Sequence, residues 1–220
     1  TAYIKANYPV EYMTSLLTAE AGNTDKLTEA IAETGALGIR ILPPDINESK
    51  TGFTIIPLAK DQWLKTGRAR EEGKAIRFGL SAIKNVGESA ISAILTARDA
   101  GPFVSLTDFI HRADLQKVNK RVLESLIGSG AFDRFGRRSQ LYAAYNEVRN
   151  QATAGNREKS SGQGGLFDSM SQEESGRNLS DNFPDIAEVP MVELLKTEKT
   201  LLGFYLTDHP VKNAIKVVAH

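Results

Sequence analysis

Apolar residues recur at spacings of three and four over most of this chain and give way to simple alternation in a few short stretches. Pro9 can open a helix whose buried stripe is Met13, Leu16 and Leu17, with Tyr3, Ile4 and Tyr8 ahead of it. Asn23 or Thr24 caps a second helix on Leu27, Ala30 and Ile31, which Gly35 and Gly38 bring to an end. Alternation through Ile39 and Ile41 predicts a short strand. Pro43-Pro44 predicts a rigid extended exit, because each proline fixes its own φ and biases its predecessor away from helix. Strand preference returns over 53–58 and 75–78, so a small β-hairpin links this helical unit to the next. Trp63, Lys65, Arg68 and Arg70 between them read as loop or frayed helix. Gly101-Pro102-Phe103 breaks a later helix, and Ser105 or Thr107 caps a turn on Leu106, Phe109 and Ile110. Residues 186–208 regain helical order through Val192, Leu194, Leu195 and Glu198. The expected class is mainly α, with a small β-hairpin between helical units.

The chain is organised around residues 76–95. Leu80 and Ile83 close one helix, Ala90, Ile91, Ile94 and Leu95 open another, and Lys84-Asn85-Val86-Gly87 leaves room only for a tight turn. Asn85 and Gly87 tolerate positive φ, so the backbone can bend there and leave the amides of Gly87, Glu88 and Ser89 unpaired at a helix start. Outward amides with a helix dipole behind them suit a phosphate oxygen and read no base. Glu88 suits the dipole but repels a phosphate. The pattern Leu80-x-x-Ile83-x-Asn85-Val86-Gly87-x-x-Ala90 resembles the helix-hairpin-helix motif of proteins that hold DNA by its backbone, with Asn85 in place of the first of two glycines. An ordinary αα-hairpin within a helical core fits the same spacing. An imperfect echo follows 43 residues later in Leu123, Leu126, Gly128 and Gly130, with Ser129 where Val86 stood and Asp133 where Ala90 stood. It suggests a tandem pair flanked by Lys117, Lys120, Arg121, Arg137 and Arg138, able to grip both strands of a duplex.

Composition changes this picture little. With 41% apolar and 25% charged residues the chain is ordinary for a globular protein, and the absence of cysteine excludes disulfides and thiolate chemistry. No apolar run is long enough to cross a bilayer and no signal peptide opens the chain, which predicts a cytoplasmic protein with no membrane partner. The net charge is zero, yet residues 60–138 hold fifteen Lys and Arg against nine Asp and Glu. That local surplus attracts phosphate, although surface bases also simply solvate helices.

Ser, Gly, Asn, Gln and charged residues dominate 151–183, which predicts a disordered linker with a reach of roughly 30 Å. Within it Gln163-Gly164-Gly165-Leu166-Phe167 puts an amide and two large apolar side chains on a tether, a form suited to a partner's pocket.

Several stretches together resemble one family. They are AYIKANYP at 2–9, LPPDINES at 42–49, IRFGL at 76–80, KNVG at 84–87, VNKRVLESLI at 118–127 and LGFYLTDHP at 202–210. The family is the alpha subunit of bacterial DNA polymerase III, the C-family replicative polymerases. The resemblance implies that 1–75 form the end of the fingers with short strands and 76–150 a tandem helix-hairpin-helix domain on duplex DNA. It further implies a flexible linker over 151–185 carrying the clamp-binding peptide, and over 186–220 a helix leading toward an OB-fold outside this chain. It assigns DNA contact to Lys84, Asn85, Val86, Gly87, Ser89, Lys120, Arg121, Gly128, Ser129 and Gly130, and beta sliding clamp contact to Gln163, Leu166 and Phe167. Primer-template duplex, the clamp and other replicase subunits are the implied partners. Such polymerases hold magnesium on paired aspartates, and no Asp-x-Asp occurs here. The expectation is therefore a piece of a longer enzyme with no catalytic residue, metal or cofactor of its own. Thr1 falling mid-helix and Val217-Val218 in an apolar run at the end agree with a fragment. The competing expectations are a stand-alone helix-hairpin-helix adaptor in repair or recombination, and a purely structural scaffold.

Overall fold

The computed structural model describes residues 2–58, 73–145, 181 and 183–205. Helix α1 (Ala2–Asn7) leads into α2 (Pro9–Ala19), where Pro9 takes the first helical position and Val10, Met13 and Leu17 are buried. Helix α3 (Thr24–Ala36) starts at Asn23, whose side chain accepts the amide of Lys26, and ends before Gly38 at φ +80. Three strands follow: β1 (Arg40–Leu42), β2 (Thr54–Pro57) and β3 (Lys74–Arg77). The expected hairpin is present as β2 antiparallel to β3, with Ile55 opposite Ile76. Strand β1 pairs parallel on the other side, with Ile41 opposite Ile76, giving the order β1-β3-β2. Central position explains why Ala75 and Ile76 are fully buried. The boundary expected at residue 75 thus falls inside β3.

Leu80 and Ile83 do not close an α-helix. Leu80–Ala82 form one 3₁₀ turn between β3 and the extended Ile83. A longer helix is unavailable because Gly79 lies against the loop at Gly52, where an added Cβ would come within 2.4 Å of backbone. That loop also accepts the amides of Leu80 and Ser81 on the carbonyls of Lys50 and Thr51. Helix α4 (Glu88–Asp99) follows, then α5 (Leu106–Arg112), capped by Ser105 on the amide of Asp108. Helix α6 (Lys120–Gly128) is capped by Asn119 on the amide of Val122. Residues 138–145 are helical, and α7 (Met191–Leu202) ends at Gly203 with φ +88. Among the described residues no helix is long and apolar enough to cross a membrane.

One apolar cluster runs from Val10 and Met13 through Ile76, Phe78 and Ile94 to Phe132, Tyr145 and Leu202. The edge-to-face contacts Phe103–Phe109 and Phe109–Phe132, each 4.9 Å between ring centres, fill its far half. The loop after Pro43-Pro44 joins the halves. Ser49 donates to the carbonyl of Phe78, Asn47 exchanges two 2.8 Å bonds with the backbone of Phe103, and Ile46 donates to the carbonyl of Ala131. Arg98 closes it by donating to the carbonyls of Ile46 and Ser49.

Asp181 and Phe183, expected within a disordered linker, lie against the helical unit. The Asp181 carboxylate accepts the amides of Leu106 and Thr107 at the start of α5. Glu188 accepts those of Arg138 and Ser139 at the start of the 138–145 helix, and Phe183 packs on Gly136. Both carboxylates satisfy helix-start donors that would otherwise face water.

Candidate nucleic-acid interface

Corner geometry decides what each turn can bind. At the first turn Asn85 adopts φ +70, the only positive φ outside glycine among the described residues. Its side chain donates to Ser125 on α6 at 3.0 Å, which fixes the strained conformation from outside. Gly87, by contrast, sits at φ −79 in extended backbone, so the positive φ expected there is absent. It caps α4 with its carbonyl, which accepts the amides of Ala90 and Ile91. Among the described residues the amides of Gly87, Glu88 and Ser89 have no protein partner, and all three residues are exposed. Val86 turns inward to the core, and the amides of Lys84 and Val86 are spent on Leu201 and Ile83. Three outward amides at the start of a twelve-residue helix remain.

The second glycine turn is built differently. Ser129 and Gly130, at φ +86, end α6 as a helix C-cap in which Gly130 donates to Ile127 and Ala131 to Leu126. Gly128, Ser129 and Gly130 are all buried, and the Ser129 amide is taken by Ser125. The reading of this turn as a second exposed amide corner is corrected: glycine serves here to end a helix. Arg138 seals it, donating to Gly128 O at 3.1 Å while its guanidinium pairs with Asp133 at 2.8 Å and Glu198 at 2.9 Å. Burial opposes the Arg138 charge, but Asp133 and Glu198 more than offset it and raise its pKa.

A different turn lies at the other end of α6. Residues 113–119, where the Asp114 carboxylate accepts the amide of Gln116, lead to the Asn119 cap of α6 without a positive-φ residue. Lys117, Lys120 and Arg121 are exposed around it, and the Arg121 amide has no partner among the described residues. Between the first corner, α6 and α7 runs a groove of about 400 Å³ lined by Asn85, Arg121, Ser125, Tyr142, Lys196 and Thr200 among others. Burial pushes the Tyr142 phenol up.

Residues 38–141 match the family model for the helix-hairpin-helix motif, a span that begins at the edge strand β1 and ends within the last helix of the unit. Along nearly its whole length the chain is similar to DNA polymerase III alpha subunits. It is 41% identical to that of Thermus aquaticus over 96% of this chain and 15% of the relative. It is 38% identical to that of Saccharopolyspora erythraea over 100% and 17%, and 37% identical to that of Pseudomonas fluorescens over 96% and 18%. The chain belongs to the DNA polymerase III alpha-subunit family. It spans about one sixth of the length of these curated relatives.

Among the residues that the family resemblance singled out, Lys84, Asn85, Gly87 and Ser89 share the exposed corner, and Lys120 and Arg121 are exposed on α6. Gly128, Ser129 and Gly130 are grouped but buried, and Val86 is buried beneath the corner. Gln163, Leu166 and Phe167 lie outside the described residues. Asn119 and Lys196 were missed. Asn119 carries the ordinary sign of a helix cap before Lys120, whereas nothing local brings Lys196 to Asn85, more than a hundred residues earlier.

Proposed function

We propose that this chain is the duplex-gripping and clamp-tethering region of a bacterial replicative DNA polymerase, working in the cytoplasm. The observation that carries the reading is the exposed trio of amides at Gly87, Glu88 and Ser89, backed by the dipole of α4 and flanked by Lys84. A second backbone contact comes from the start of α6 with Lys117, Lys120 and Arg121. Neither turn offers a base-reading element in a groove, so binding is independent of sequence. Gln163, Leu166 and Phe167 dock on the beta sliding clamp, which keeps the polymerase at the primer end by raising its effective concentration. Nucleotide addition, its magnesium and the contacts to other replicase subunits belong to the rest of the longer polymerase. No group of three or more His, Asp or Glu that could ligate a metal forms among the described residues.

Titration of the chain with primed duplex across a salt series tests the grip. With about four phosphate contacts, log affinity falls against log salt with a slope near −3.6. Binding that ignores salt, or no binding, refutes it. Titration with purified clamp tests the tether: L166A/F167A abolishes clamp binding and leaves duplex affinity unchanged, and a parallel loss of both would show that the two are not separable.

A further inference from the structure

Helix α7 lies more than sixty residues beyond α6 in sequence, yet it packs against both α6 and the first corner. The carbonyl of Leu201 accepts the Lys84 amide at 2.9 Å. Gly128 is so closely covered that an added Cβ would meet Leu201 and Tyr142 at 2.7 Å and Thr197 at 2.9 Å. Lys196, Thr197, Thr200 and Leu201 then face Arg121, Glu124 and Ser125 across the groove that opens at Asn85. These residues stand on adjoining stripes of their helices, at spacings of three, four and five.

The charges in this groove are unbalanced. Glu124 turns its carboxylate to the Tyr145 hydroxyl at 2.9 Å and toward Lys120 at 3.8 Å. Arg121, Lys196 and Lys84 are exposed and have no carboxylate within ion-pair distance among the described residues. The Thr197 and Thr200 hydroxyls donate back to Glu193 and Lys196 carbonyls of their own helix, so the donors left facing the groove are cationic. Two cations lining the cleft, Arg121 and Lys196, with Lys84 on the positive-φ backbone corner beside it, match the chemistry of a phosphodiester oxygen.

We infer that α7 forms a third wall of the duplex interface, in which Lys196 and Arg121 hold a backbone phosphate in the groove beside Asn85. This rests on the duplex-binding reading above and extends it to a helix outside the span of the helix-hairpin-helix family match. Fluorescence anisotropy of the whole chain with a primed duplex, over a series of salt concentrations, tests it. K196Q flattens the log–log slope by about 0.9 and weakens binding roughly eight-fold near 0.1 M salt, as loss of one neutralised phosphate requires. T200K, one turn along the same stripe, steepens the slope by a similar amount. K26Q on α3 changes neither, and thermal melts confirm that each variant is folded. A wild-type slope in K196Q or T200K overturns the inference while leaving the duplex reading intact, as does a K196Q affinity loss without a slope change. Failure of the unsubstituted chain to bind duplex takes both down.

Discussion

Replacing Arg138 with methionine tests whether the C-terminal helix is held by charge. The Arg138 side chain is 8% exposed, and its guanidinium bridges Asp133 to Glu198, whose side chain is 2% exposed. Methionine fills most of the volume but takes the guanidinium away from the buried Glu198 carboxylate. Removal of one partner from a buried pair costs about 3–5 kcal/mol. Asp133 is half-exposed and can turn to water, so the lower end applies, about 3 kcal/mol. Part of that cost is the buried Glu198 charge deprived of this guanidinium, which R138M/E198Q removes. The double variant is therefore less damaged than the sum of the two single ones, by about 1–2 kcal/mol. Urea denaturation followed by far-UV circular dichroism, with wild-type m-values in every variant, measures all three. An R138M loss below about 1 kcal/mol, or strict additivity, would show that the triad is an accessory to apolar packing.

Glycine roles separate in the same assay. G87A is nearly neutral, because the residue already has negative φ and an added Cβ meets nothing within 4 Å. G130A loses about 2 kcal/mol or more, because left-handed backbone disfavours alanine and the Cβ would stand 2.5 Å from Arg138 Nη2; equal effects would contradict the assignment of the two turns. N85A loses about 1–2 kcal/mol through both the backbone and the bond to Ser125. N85G recovers the backbone share, and an N85G as unstable as N85A would locate the whole effect in the side chain. Glu188 resists burial of its charge through bonds from the amides of Ser139, Val189 and Arg138, which together lower its pKa. Its stabilisation is present above the unfolded-state pKa and lost as pH falls through the depressed folded value. The gap between wild type and E188Q is open at pH 7 and closes as pH drops below 4.5; a gap constant with pH would count against this cap.

Much of the fold could be read from side-chain spacing because the signals are local. The stripes of α2 and α3, the caps at Asn23 and Ser105, all three strands and the bend at Asn85 depend on neighbours a few residues away. What escaped depends on distant partners. Gly130 has the chemistry of either a binding corner or a helix end, and only the bonds from Gly130 and Ala131 back into α6 distinguish them. Arg138 reads as a surface base until Glu198, sixty residues on, is placed beside it. The polar run before Asp181 predicts disorder, yet that carboxylate finds two free amides on α5. The short 3₁₀ turn at Leu80–Ala82 was hidden too, because the close approach of Gly79 to Gly52 crosses between segments.

Strand β3 takes both its neighbours from residues that precede it, β1 on one side and β2 on the other. Severing the chain just before Ile76 would strip the ladder from both flanks of the remaining backbone and bare Ile76 and Phe78 to solvent. A helix-hairpin-helix piece cut there would present a sticky, two-sided ribbon to its own copies and precipitate by edge pairing. A soluble excision has to begin upstream of Arg40, carrying the whole sheet with it.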